Sequence, residues 1–181
     1  MLDKLGTLTV VPAPQRLDLV AAPVAALLSE WPHAGDVGVV EIDPALADTA
    51  VMSEHYGVPM EQGANCVVVM GRRAGEERTA ACVVRADTRA DVNNLVKRTL
   101  DVRKCSFLAH ERAVEETGME YGGITPVGLP ARWRILVDTR VLDIEWAIIG
   151  SGIRGSKLLM PGRLFPELPG VEVLDGLAQP A

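Results

Sequence analysis

The stretch Thr117-Gly118-Met119-Glu120-Tyr121-Gly122-Gly123-Ile124-Thr125-Pro126-Val127-Gly128 packs four glycines and a proline into twelve residues. It then gives way to Trp133-Arg134-Ile135-Leu136-Val137-Asp138, an apolar run that reads as a strand. Glycine lets a backbone approach a ligand closely and adopt φ > 0. Proline fixes the exit of the loop and removes one N–H donor. Such a loop can present bare amides to a carbonyl or an oxyanion. On spacing alone the simpler reading is a tight turn between a helix and a strand.

Upstream of the loop, His110 to Thr117 reads as a helix that Gly118 terminates. Val102 to Leu108 before it reads as a short strand. Cys66–Met70 and Arg78–Arg85 flank the polar turn Gly71–Glu77 and form a hairpin. Asp91 caps a helix running to about Leu100. Nearer the N-terminus, Val37 to Ile42 reads as a strand, and Asp43-Pro44 opens a helix from about Ala45 to Tyr56. Leu17, Val20, Ala21, Val24, Leu27 and Leu28 recur at helical spacing between Arg16 and Trp31, with a kink or an interrupted helix expected at Pro23. Residues 1–14 read as a loosely docked lead-in. Downstream, Arg134–Val137, Trp146–Ile149, Lys157–Met160 and Val171–Leu174 read as strands, and Pro161–Leu168 as a short helix.

Strands and helices mix without a regular βαβ repeat. The expected fold class is therefore α/β of the α+β type: a mixed, mostly antiparallel sheet or partly closed barrel flanked by helices. The chain of 181 residues suits one well-buried domain. Residues 1–36 are assigned to an N-terminal lead-in and helix, and residues 37–181 to a single globular unit. Aromatic residues make up only 4%, so the core rests on Val, Leu, Ile and Ala.

Eighteen basic residues against 24 acidic ones give a net charge of −6. That argues against a nucleic-acid binder held mainly by charge, DNA included, while leaving room for a local basic patch. Cys66, Cys82 and Cys105 form no C-x-x-C pair and read as buried thiols. His33, His55 and His110 are scattered, so no metal site is expected. No apolar run approaches the roughly 20 residues of a membrane span, and no leader pattern is visible, so the expected location is cytoplasmic.

Four segments, in order, resemble the YbaK/ProX-type aminoacyl-tRNA deacylases. Gly63-Ala64-Asn65-Cys66-Val67-Val68-Val69 is similar to that family's A-K-T-L-V-V strand, and Arg89-Ala90-Asp91-Val92-Asn93 to its R-x-D-x-x junction. The glycine loop, with Asp138 downstream, resembles T-G-x-x-x-G-G-[IV]-[ST]-P-x-G. Gly150-Ser151-Gly152-Ile153-Arg154-Gly155-Ser156-Lys157 is similar to the G-K-R-G-x-D turn. The resemblance runs from about Val37 to the C-terminus and implies a YbaK-like fold. Two positions depart from it. Asn65 stands where the family has its functional lysine, and Lys157 where it has an aspartate.

The resemblance implies hydrolysis, in trans, of the ester joining a wrong amino acid to tRNA, by water, with no covalent intermediate and no cofactor. Its carry-over makes Gly122, Gly123, Pro126 and Lys157 the catalytic candidates. Asn65, Thr125, Gly152 and Arg154 become the substrate-binding candidates. Both departures are expected to border one pocket, so that the lysine is either relocated to position 157 or lost, with Lys157 an ordinary strand-edge side chain. The alternative function is a binding or regulatory module that keeps the fold without the reaction. A weaker third reading is hydrolysis of another small aminoacyl ester. Cys66 is expected to be a buried thiol rather than a nucleophile, and Asp138 a structural acceptor. The implied partners are the acceptor end of aminoacyl-tRNA and an aminoacyl-tRNA synthetase. Arg72, Arg73, Arg78, Arg132, Arg134, Arg154 and Lys157 are the candidate basic patch.

Overall fold

The computed structural model describes residues 2–181. Strands β1 (Lys4–Leu5) and β2 (Leu8–Thr9) form a small hairpin, and β3 (Val11–Pro12) follows. After two 3-10 turns come helix α1 (Ala22–Glu30), strand β4 (Gly38–Glu41) and helix α2 (Thr49–Tyr56). Next are β5 (Ala64–Arg73), β6 (Glu76–Arg85), β7 (Thr88–Ala90), the short helix α3 (Lys97–Thr99), β8 (Cys105–Phe107) and α4 (His110–Thr117). The chain closes with β9 (Arg134–Asp138), β10 (Ala147–Gly150), β11 (Ser156–Met160), β12 (Val171–Leu174) and β13 (Ala178–Pro180).

Two sheets carry the architecture. One has the order β12-β9-β6-β5-β8, with β9 parallel to both β12 and β6 and the other pairs antiparallel. The second, β10-β11-β4-β3, is antiparallel throughout. A bridge between Gly63 and Ile148 joins their edges without closing a barrel. This is the mixed, mostly antiparallel fold expected from the sequence.

Period-two alternation decides what each strand faces. On β11, Leu158 and Met160 join the main core between the sheets, while Leu159 turns to the opposite side against Met52 of α2. On β6, Val83 faces the main core, and Cys82 and Val84 face Val96 and Leu100. Helix α1 covers the main core with Val24 and Leu28, both nearly inaccessible.

Within residues 2–56 one expectation holds and two need correction. The helical pattern is interrupted rather than kinked at Pro23: a 3-10 turn at Leu17–Leu19 gives way to α1, whose first turn holds Pro23 where its missing N–H costs nothing. The segment before it is firmly docked: Leu5, Leu8, Val10 and Ala13 are buried, and β3 pairs with β4. The helix expected from Ala45 is split into a 3-10 turn at Pro44–Leu46, capped by the Asp43 carboxylate, and then α2.

Candidate active site

The glycine loop and the turn after β10 are laced together by their backbones. Helix α4 ends on Gly118 in the left-handed conformation, its N–H donating to Val114 O. The Gly152 N–H then donates to Gly123 O at 2.7 Å, and the Glu120 N–H to Gly152 O at 2.8 Å. Glu120 also accepts, through Oε2, the Arg154 N–H at 2.6 Å. At Gly123 a Cβ would sit 2.8 Å from the Ile153 backbone, so no other residue fits this approach.

That junction forms one wall of a cavity of about 500 Å³. Asn65, Cys66 and Val68 of β5 line a second wall, Ile149, Gly150 and Lys157 a third, and Asp48, Thr49 and Met52 a fourth. Gly122 and Ile124 lie on the loop side. Among the described residues neither has an acceptor for its N–H, whereas the Gly123 N–H is committed to Glu120 O. The loop amides left without a protein acceptor are thus those flanking Gly123.

Asn65 is held by Thr49, whose hydroxyl donates to Asn65 Oδ1 at 2.9 Å, leaving the amide NH2 as a donor. Lys157 is 7% exposed and makes no ion pair among the described residues. Burial pushes its ammonium down to about 8; Arg154 nearby adds to the effect and Asp48 opposes it. Arg154 stands at the rim, 3.6 Å from the Asp48 carboxylate, and its guanidinium lies where a Cβ on Gly122 would go. Burial pushes the Cys66 thiol up to about 12, so at neutral pH it is protonated and a poor nucleophile.

Of the eight site residues expected from sequence, Asn65, Gly122 and Lys157 line the cavity. Gly123 and Gly152 lie behind its wall, in the junction just described. Arg154 is on the rim. Thr125 and Pro126 are buried outside the lining, and the Thr125 hydroxyl finds no partner among the described residues. Asp138 is fully buried. Burial alone would raise its pKa, but hydrogen bonds from the Arg140 side chain and from the Ala178 and Arg140 amides outweigh this and hold it below the usual range. It is a strand-end anchor, far from free to act as an acid.

Most of the expected basic patch is neutralised in place. Arg72 pairs with Glu77, Arg73 and Arg78 with Asp101, Arg132 with Glu116, and Arg134 with Glu172. Sequence reasoning missed Asp48, Thr49, Phe107, His110 and Tyr121 in the cavity lining. Only Tyr121, inside the glycine loop, carried a local signal. No cluster of His, Cys, Asp and Glu able to hold a metal is found among the described residues. No helix there is long and apolar enough to cross a membrane.

Solved structures share this fold. The hypothetical protein APE2540 is 23% identical, with 78% of this chain and 90% of that chain covered at a TM-score of 0.68. A protein proposed as a trans-editing enzyme for prolyl tRNA synthetase is 19% identical, with 91% and 96% covered at 0.72. A scaffold used for computational epitope grafting is 18% identical, with 94% and 99% covered at 0.72. The sequence profile of the aminoacyl-tRNA editing domain matches residues 43–167, which span α2, the hairpin, the glycine loop and the Lys157 turn. The chain belongs to the aminoacyl-tRNA editing domain family.

Proposed function

We propose that this protein is a YbaK/ProX-type hydrolase that acts in trans to remove the amino acid from mischarged tRNA. The observation that carries the reading is the single cavity lined by residues of three separate motifs, Asn65, Gly122 and Lys157, in an editing-domain chain.

An aminoacyl ester is already activated, so the site must orient water, polarise the carbonyl and stabilise the oxyanion. The unpartnered Gly122 and Ile124 amides are the donors for that oxygen, and Gly123 with Pro126 fixes the loop that presents them. Asn65, oriented by Thr49, hydrogen-bonds the substrate. Lys157 supplies the positive charge that the family lysine supplies from position 65 and stabilises developing negative charge. Arg154 and Asp48 set the rim, Gly152 holds the turn against the loop, and Thr125 supports the loop from inside. A synthetase partner would add tRNA affinity that a chain of net charge −6 lacks.

The test is amino acid release from a panel of correctly and incorrectly charged tRNAs, with Gly122→Ala as the control. Release that disappears in the variant supports the reading and identifies the substrate. A folded protein that binds charged tRNA without releasing anything would instead be a binding module.

A further inference from the structure

Exposed aromatic side chains gather at the mouth of the cavity. The chain has two phenylalanines and two tyrosines. Phe165 is fully buried and Tyr56 half-buried, whereas Phe107 is 66% and Tyr121 52% exposed. Both exposed rings line the same cavity, with His110 between them in sequence. His110 and Tyr121 stack, with ring centroids 3.7 Å apart and planes inclined by 26°. Phe107 ends β8, an edge strand, and pairs with Val69 of β5.

A single exposed ring is ordinary on a protein surface. Two, recruited from either end of α4 to one cavity mouth, are not accounted for by core packing. They offer flat apolar faces to water beside the Gly122 and Ile124 amides. A group that is planar, aromatic and covalently close to the reacting ester fits that surface. In aminoacyl-tRNA the ester oxygen belongs to the terminal ribose, which also carries the adenine base at C1′ and, through C5′, the phosphate of the preceding nucleotide. With the carbonyl at the loop, the adenine is an aromatic group tethered one ribose away, and Phe107 and Tyr121 are exposed rings of the same cavity.

We propose that Phe107, with the stacked His110–Tyr121 pair, seats the terminal adenine of aminoacyl-tRNA. This rests on the deacylase reading above and adds a nucleobase subsite to it. Stacking would supply affinity where charge does not, since the arginine at the rim, Arg154, is paired with Asp48. It would also exclude free amino acids and simple alkyl esters, which bring no base.

The experiment measures steady-state deacylation by the wild type, Phe107→Ala and Phe107→Trp, with the charged tRNA found in the release panel and with an RNA whose charged terminal nucleotide is abasic. Expected is a KM about tenfold higher for Phe107→Ala on normal tRNA, with kcat little changed, rescue by Phe107→Trp, and no difference on the abasic substrate. Equal KM values for wild type and Phe107→Ala on normal tRNA would overturn the subsite and leave the deacylase reading standing. If no charged tRNA is hydrolysed, the deacylase reading fails, and titration with an uncharged CCA trinucleotide decides the subsite. Weaker binding by Phe107→Ala than by wild type upholds it; equal or absent binding removes it.

Discussion

Gly152 donates its N–H to the Gly123 carbonyl at 2.7 Å, joining two glycine-rich segments 29 positions apart. Gly152 does so at φ +87°, and a Cβ there would overlap the Ala21 Cβ and crowd Val24 and Met119. Gly152→Ala therefore adds left-handed strain to overpacking against α1. The expected loss is roughly 3 kcal/mol of stability. Urea denaturation checks it; an unchanged midpoint would show that the junction yields easily.

Gly122 provides the contrast. It too has positive φ, at +85°, but it is exposed, and the group nearest a new Cβ is the mobile end of Arg154. Gly122→Ala should cost only about 1 kcal/mol of stability. Its effect should fall on turnover, on the order of 100-fold or more, because the methyl obstructs the carbonyl's approach to the loop amides. Full activity in the folded variant would remove the loop from the chemistry.

Lys157 makes stability depend on pH. Its folded-state pKa, about 8, lies below the ordinary 10.5, so between those values the unfolded chain binds more protons. Stability should rise with pH across that window, by a total of roughly 3 kcal/mol. Below about 8 the buried ammonium is a liability in full. Lys157→Met should be more stable than wild type at pH 7, show no such rise, and lose most of its deacylation rate. Denaturation midpoints at pH 7 and pH 10 check the first two points, and background-corrected release the third. A flat wild-type profile would mean the ammonium is not desolvated.

Much of the fold was legible because its signals are local. Gly118 stops α4 at the expected residue, and the alternation along β6 and β11 assigns their faces. The hairpin shows the limit of that reading. The polar run Gly71–Glu77 suggested a long turn, yet the strands zip up to Ala74-Gly75, both with positive φ, the form a two-residue hairpin turn takes. Arg72 and Glu77 look like turn residues but sit opposite one another across the ladder and pair. The cavity was harder. Thr49 of α2 holding Asn65 of β5 is a contact between separate elements, and His110 stacks on Tyr121 across the length of α4 and the turn after it. No apolar period or turn signal encodes either contact.

Cys66 is the cavity residue most easily mistaken for a nucleophile. With its thiol pushed up to about 12, iodoacetamide should react slowly with it at pH 7.5, and Cys66→Ala should retain turnover. Loss of turnover in a folded Cys66→Ala protein, together with a trapped aminoacyl-enzyme, would replace water attack with covalent catalysis.

The exchange of charge between positions 65 and 157 can be tested as a thermodynamic cycle. Both side chains line one cavity, so each should feel the other's charge through a desolvated space. Asn65→Lys alone places a second cation beside the unpaired Lys157 and should lower both stability and turnover. Lys157→Asp alone leaves a buried carboxylate near Asp48, helped only by Arg154 at the rim. The double variant, Asn65→Lys with Lys157→Asp, sets opposite charges in the arrangement its relatives are expected to use. It should be more stable than the two single effects predict, by about 1–3 kcal/mol, and should recover turnover lost in both singles. Strict additivity in urea denaturation would mean that the two positions do not share a field. Lys157 would then be a buried cation of the sheet rather than a relocated functional lysine.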